Sequence, residues 1–71
     1  MIREIKFHNL EDVKAFNRIA TEYPQEVGIH TANAIVDAKS LLGLFSIDLK
    51  NPVYCVTEDE AFYKNIRRFL A

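Results

Sequence analysis

The side chains in this sequence with the type and setting for chemistry are His8, His30, Cys55 and Ser40. A neutral imidazole can act as a nucleophile or accept a transferred group. His8 falls between an alternating segment and a helix-like one, beside the N-terminus of the first expected helix. Ser40 stands directly before the apolar run Leu41-Leu42-Gly43-Leu44-Phe45, where serine suits a helix N-cap. The single Cys55 cannot cross-link its own chain, and it reads as a small hydrophobe in a strand. His8, His30 and Cys55 are scattered and lack the paired spacing of a zinc site, so no metal and no cofactor are expected. Paired carboxylates in a cleft, a glycine-rich phosphate loop and a Ser/His/Asp arrangement are likewise not found. A free-standing enzyme is therefore the weakest reading.

These residues must be held by one small domain, residues 1–71. The composition is globular, with 49% hydrophobic and 27% charged residues. Nine Lys and Arg against ten Asp and Glu give a net charge of −1, which offers no bulk electrostatic case for nucleic acid. No apolar run approaches the roughly 20 residues needed to span a bilayer. The opening Met-Ile-Arg-Glu-Ile-Lys-Phe alternates charged and apolar residues, unlike a signal peptide. A soluble, cytoplasmic protein is the expectation, with its oligomeric state open.

Periodicity divides the chain into short elements. Ile2 to Phe7 alternates, with Ile5 and Phe7 on one face and Glu4 and Lys6 on the other, as in a half-buried strand. Asn9 suits an N-cap, and Glu11 and Asp12 follow in the first turn, where the helix dipole favours negative charge. Leu10, Val13, Phe16, Ile19, Ala20 and Tyr23 form an apolar stripe at helical spacing, and Pro24 ends it. Glu26 to Thr31 alternates again, with Val27, Ile29 and Thr31 pointing one way and Gly28 and His30 the other. Ala32-Asn33 reads as a turn, with Asn33 tolerant of positive φ, and Ala34, Val36 and Ala38 continue on the inner face. A short helix capped by Ser40 follows, then a turn at Asn51-Pro52 and a strand over Val53 to Val56. Thr57-Glu58-Asp59-Glu60 matches a capping box, opening a last helix with Phe62, Ile66, Phe69 and Leu70 inside. The order β-α-β-β-α-β-α with one-sided helices predicts an α+β fold. It is an open-faced sandwich, a four-stranded antiparallel sheet with three helices on one face.

This order, together with Val36-Asp37-Ala38-Lys39-Ser40-Leu41-Leu42-Gly43-Leu44-Phe45-Ser46-Ile47, resembles the HPr phosphocarrier family of the sugar phosphotransferase system. HPr proteins carry a strand leading into Lys-Ser-Ile-Met-Gly-Val-Met-Ser-Leu. Lys39, Ser40, Gly43 and Ser46 match it, with apolar residues between them. The resemblance covers most of the chain and implies the same open-faced sandwich. It also implies protein partners among phosphotransferase-system enzymes or regulators, with no nucleic acid and no membrane.

The catalytic part departs from the family. HPr proteins relay phosphate through the histidine of Gly-Ile-His-Ala-Arg-Pro at the start of the first helix. Here the connection is His8-Asn9, no Arg-Pro follows, and Glu11 and Asp12 occupy the first turn. A phosphohistidine gains negative charge, which carboxylates repel. Gly28-Ile29-His30 repeats three letters of the motif but lies after the first helix, so His30 reads as an outward strand residue. By its place, His8 is the candidate phosphoryl acceptor, against the simpler reading of a strand-end histidine closing a turn.

The resemblance implies that Ser40 matches a serine phosphorylated by a regulatory kinase in many of these proteins. An N-cap serves folding equally well, and both readings stand. It further implies that Leu41, Leu42 and Leu44 form an exposed docking patch. A short helix cannot bury all of them, and the expectation is that Phe45 and one leucine turn inward while Leu41 or Leu42 stays outside. The leading functional expectation is a regulatory or binding domain without the usual histidine relay. The alternatives are a phosphocarrier using His8, and a structural or homodimerising module that shares only the fold.

Overall fold

A computed structural model describes residues Met1–Ala71. The elements run β1 (Ile2–Ile5), α1 (Leu10–Thr21), β2 (Gly28–His30), β3 (Ile35–Asp37), α2 (Leu41–Phe45), β4 (Val53–Val56) and α3 (Ala61–Asn65), then a 3-10 turn at Arg67–Phe69. The four strands form one sheet in the order β1-β4-β2-β3, with every neighbouring pair antiparallel. This is the expected α+β sandwich, with the expected order of elements. Register separates the two faces. Ile5 pairs with Val53, Arg3 with Cys55, and Ile29 with both Cys55 and Val36, which puts these residues on the covered face. Glu4, Tyr54, His30 and Ile35 form a row on the open face. His30 therefore points outward from the sheet, among strand residues and away from any helix N-terminus.

The core lies between the covered face and α1, α2 and α3. Phe16 is fully buried at its centre, in edge-on contact with Phe7, Phe62 and Phe69 at ring-centroid distances of 5.2, 6.0 and 5.7 Å. Tyr23 extends this cluster onto Phe62. Such edge-to-face pairs add about 0.5–1.5 kcal/mol each beyond the area they bury. Phe7 leaves the sheet to join the cluster, so β1 is shorter than its alternation suggests. Beyond it, the C-terminus runs back along β1: Lys6 N–H donates to Phe69 O and Ala71 N–H to Glu4 O. That pairing covers one sheet edge.

Several local expectations are corrected. Asn33 has no positive φ, and no residue does. The β2–β3 turn is held instead by Thr31, whose Oγ1 accepts from the N–H groups of Asn33 and Ala34. The capping box at Thr57 does not form. The buried Thr57 hydroxyl donates to Glu26 O and accepts from Asp59 N–H. Asp59 then accepts from Ala61 N–H, so α3 starts later and is short. Leu10 is exposed rather than part of the buried stripe, because the first helical residue points back towards the helix start. Tyr63 is buried, and its hydroxyl lies 2.9 Å from Cys55 O and 3.1 Å from Met1 O.

The seat of α2 depends on Gly43. A Cβ at this position would lie 2.5 Å from Val36 Cγ1 of β3, closer than real side chains approach. Asn17 of α1 secures the same corner by donating from Nδ2 to Ala38 O at 3.1 Å. In an open helix Gly→Ala stabilises by roughly 0.5–1 kcal/mol, whereas overpacking costs about 1–3 kcal/mol. Val36 is β-branched and half-buried, so the clash wins. Gly43→Ala is expected to lower unfolding free energy by about 1–2 kcal/mol in urea titrations. Adding Val36→Ala to Gly43→Ala is expected to recover part of that loss.

Candidate functional site

Two surfaces hold the candidate residues: the start of α1 and the outer side of α2. At the first, Asn9 has extended backbone, and its side-chain oxygen accepts from Asp12 N–H at 2.9 Å. Asp12 reaches back in turn, its Oδ2 accepting from His8 N–H at 2.9 Å. The two side chains thus cap the helix reciprocally, in a variant of the capping box that reaches one residue further out. The His8 ring is 71% exposed, and its Nδ1 stands 3.4 Å from the same Asp12 oxygen. The bond from His8 N–H holds the Asp12 carboxyl below the usual carboxylate range. Burial opposes it, and the His8 imidazole and the Arg68 guanidinium add smaller effects in the lowering direction. The helix N-terminus beside His8 is therefore already occupied by a carboxylate that is hard to protonate.

On α2, Ser40 has extended backbone, and its Oγ accepts from Gly43 N–H at 3.1 Å. The preceding corner is tightened by Asp37, whose Oδ1 accepts from Lys39 N–H and whose carbonyl accepts from Ser40 N–H. Beyond the cap, five residues divide by helical geometry. Leu44 is 1% exposed and belongs to the core. Leu42 is 83% exposed, Phe45 39% and Leu41 36%. Two expectations change here. Leu44 cannot serve on an outer patch, because it is the residue that anchors α2 to the core. Phe45 does not turn inward, because one short helix offers one inward position between β3 and α1, and Leu44 fills it. The exposed apolar ridge is Leu41, Leu42 and Phe45.

The structure does not join the candidates into one polar constellation. The polar partner of His8 is Asp12, and that of the Ser40 hydroxyl is Gly43 N–H. His30 lies on the open sheet face. Burial pushes the Cys55 thiol up to about 12, so it is not a thiolate near neutral pH. No group of three or more His, Cys, Asp or Glu could hold a metal ion, and no helix is long and apolar enough to cross a membrane. Asn17 positions the α2 corner without being evident in the sequence, and Asp12, which reads there as a first-turn acid, also accepts from His8 N–H. The four-residue spacing of His8 and Asp12 on a helix start was the available signal for the second; the long-range bond of Asn17 had none.

This architecture is the open-faced sandwich of an HPr structure. The chain is similar to the crystal structure of HPr-C-His from Thermoanaerobacter tengcongensis, with a TM-score of 0.67 and 23% sequence identity. The match covers 94% of this chain and 81% of that one. The chain thus has the HPr fold. No protein-family profile matches the sequence, and no curated protein matches it.

The reciprocal cap has a pH signature. The folded-state pKa of Asp12 is depressed, so its stabilisation is fully present above the unfolded value near 3.8 and is lost as pH falls through the folded value. Asp12→Asn is expected to melt at lower temperature than the parent near pH 7. The gap should start to narrow as pH falls below about 3.8 and close only below the lowered folded value, where the carboxyl is neutral in both states. Asn9→Ala is expected to cost about 1 kcal/mol. Thermal melts across this range, followed by circular dichroism, measure both effects.

Proposed function

We propose that this protein is an HPr-like regulatory or binding domain of the sugar phosphotransferase system that works without a histidine phosphorelay. It docks protein partners, phosphotransferase-system enzymes or regulators, through α2. The observation that carries the reading is the Asp12 carboxylate at 3.4 Å from His8 Nδ1. A phosphoryl group on that nitrogen would meet an ionised carboxylate where a phosphocarrier needs free N–H groups and a cation. The binding half rests on the ridge of Leu41, Leu42 and Phe45. Apolar side chains presented together on one rigid helix are a common mark of a partner surface.

Ser40 is the regulatory position in this proposal. Its hydroxyl is at the exposed lip of the ridge and already faces Gly43 N–H. A phosphate there would keep an acceptor on that N–H while adding negative charge beside the leucines. The change would act on docking rather than on the fold. The exposed His8 ring supports the alternative, a phosphocarrier relaying through His8, and one assay separates the two.

Purified protein incubated with phosphoenolpyruvate and the first enzyme of the system is expected to acquire no acid-labile phosphate. Acid-labile phosphate that His8→Ala abolishes and His30→Ala spares would overturn the proposal in favour of the carrier. A serine kinase of the system is expected to place acid-stable phosphate on the parent and none on Ser40→Ala. Leu42→Glu is expected to leave the melting temperature unchanged and to weaken partner binding at least about tenfold, as for loss of a central apolar contact.

A further inference from the structure

The C-terminal stretch 61–71 contains Lys64, Arg67 and Arg68 and no acidic residue. α3 and the 3-10 turn set Lys64 and Arg67 along a shallow groove whose other wall includes Arg3 of β1. Tyr63 lies between them. The Arg3 guanidinium sits over the Tyr63 ring, 5.2 Å from its centroid. The Tyr63 hydroxyl is anchored to Cys55 O and Met1 O, so the ring is fixed and the guanidinium has a fixed plane to rest on. The chain's ion pairs are His8–Asp12 and Lys14–Glu11, and neither neutralises this groove. Glu60, the one acid lining it, leaves the lining net positive.

The acids that balance these cations lie elsewhere. Glu26, Asp37, Glu58 and Asp59 line a separate groove. A chain of net charge −1 thus presents a localised positive surface, and an anion placed there would relieve the repulsion among three cations. A planar guanidinium held in place favours carboxylates, which it can bind through two parallel hydrogen bonds. Nucleic acid would need a longer basic track to neutralise successive phosphates, and the acidic groove on the same small molecule opposes it. The groove is shallow and open, which suits a segment of another protein better than an enclosed small anion.

We propose that Arg3, Lys64 and Arg67 form a second docking surface, which receives an acidic segment of a protein partner. It shares no residue with the α2 ridge, and it stands whether or not that ridge binds a phosphotransferase-system protein.

The test is titration of isotope-labelled full chain with a hexaglutamate peptide at low salt, followed by amide shifts. Saturable shifts should centre on Arg3, Lys64 and Arg67. Raising salt to about 0.5 M should weaken binding at least about tenfold. Lys64→Glu with Arg67→Glu should weaken it by a similar factor, and Leu42→Glu should leave it unchanged. Arg67→Gln, a milder change, should still weaken binding measurably if the double variant fails to fold. Absence of saturation, shifts spread equally over Lys14, Lys39 and Lys50, or unaltered binding by the charge variants would each overturn the proposal. Tighter binding at this groove by an oligothymidylate or by inorganic phosphate than by hexaglutamate would also overturn it.

Discussion

The fold depends on the fully buried ring of Phe16. With only one face of the sheet covered, a single aromatic cluster joins β1, α1, α3 and the C-terminal turn on that side. Phe16 does so by meeting Phe7 from the end of β1, Phe62 from α3 and Phe69 from the following turn. Burying a phenylalanine is worth about 1.5–3 kcal/mol, and truncating one in a core costs about 3–5 kcal/mol. In a domain this small that is a large part of the total stability. The C-terminus gains its place along β1 through the same cluster, since Phe69 carries both a ring contact with Phe7 and the carbonyl that accepts from Lys6.

α2 is fixed by a different contact, and which of its side chains stay exposed follows from that. Gly43 lets the helix close onto Val36, Leu44 fills the resulting pocket, and Asn17 ties the preceding corner to α1. Once Leu44 is inside, Leu41, Leu42 and Phe45 have nowhere to go but outward. The apolar ridge is thus the geometric complement of the anchor. At the start of α1 the same economy works against phosphoryl chemistry. Asp12 satisfies the backbone by capping the helix, and in doing so it places a carboxylate where a transferred phosphate would need a cation.

Most of the architecture was legible because the signals were local. Alternation marked the strands, apolar spacing marked α1, and Asn9 and Ser40 cap the helices that their positions suggested. Signals failed where partners lie far apart in the chain. Thr57 has the sequence of a cap, yet its hydroxyl is taken by Glu26 O across the sheet end. Asn33 has the sequence of a left-handed turn residue, yet Thr31 closes that turn by itself. Which apolar residue of α2 turns inward depended on the gap between β3 and α1, which no spacing rule within α2 encodes. The basic groove was hidden for the same reason, since Arg3 and Arg67 come together only when the chain ends meet. The Lys-Ser-x-x-Gly segment was readable because its residues act locally, with Ser40 capping the helix and Gly43 permitting its close approach to the sheet.

The central claim is that α2 carries recognition while His8 carries no phosphate. Nuclear magnetic resonance of isotope-labelled protein, mixed with the system's first enzyme and phosphoenolpyruvate, reads both halves in one sample. The account predicts perturbed amides at Leu41, Leu42 and Phe45, with the His8 ring nitrogens at the shifts of an unmodified imidazole. Ring nitrogens of His8 at phosphoimidazole shifts, or an α2 whose amides stay unmoved while the enzyme binds elsewhere, would contradict it.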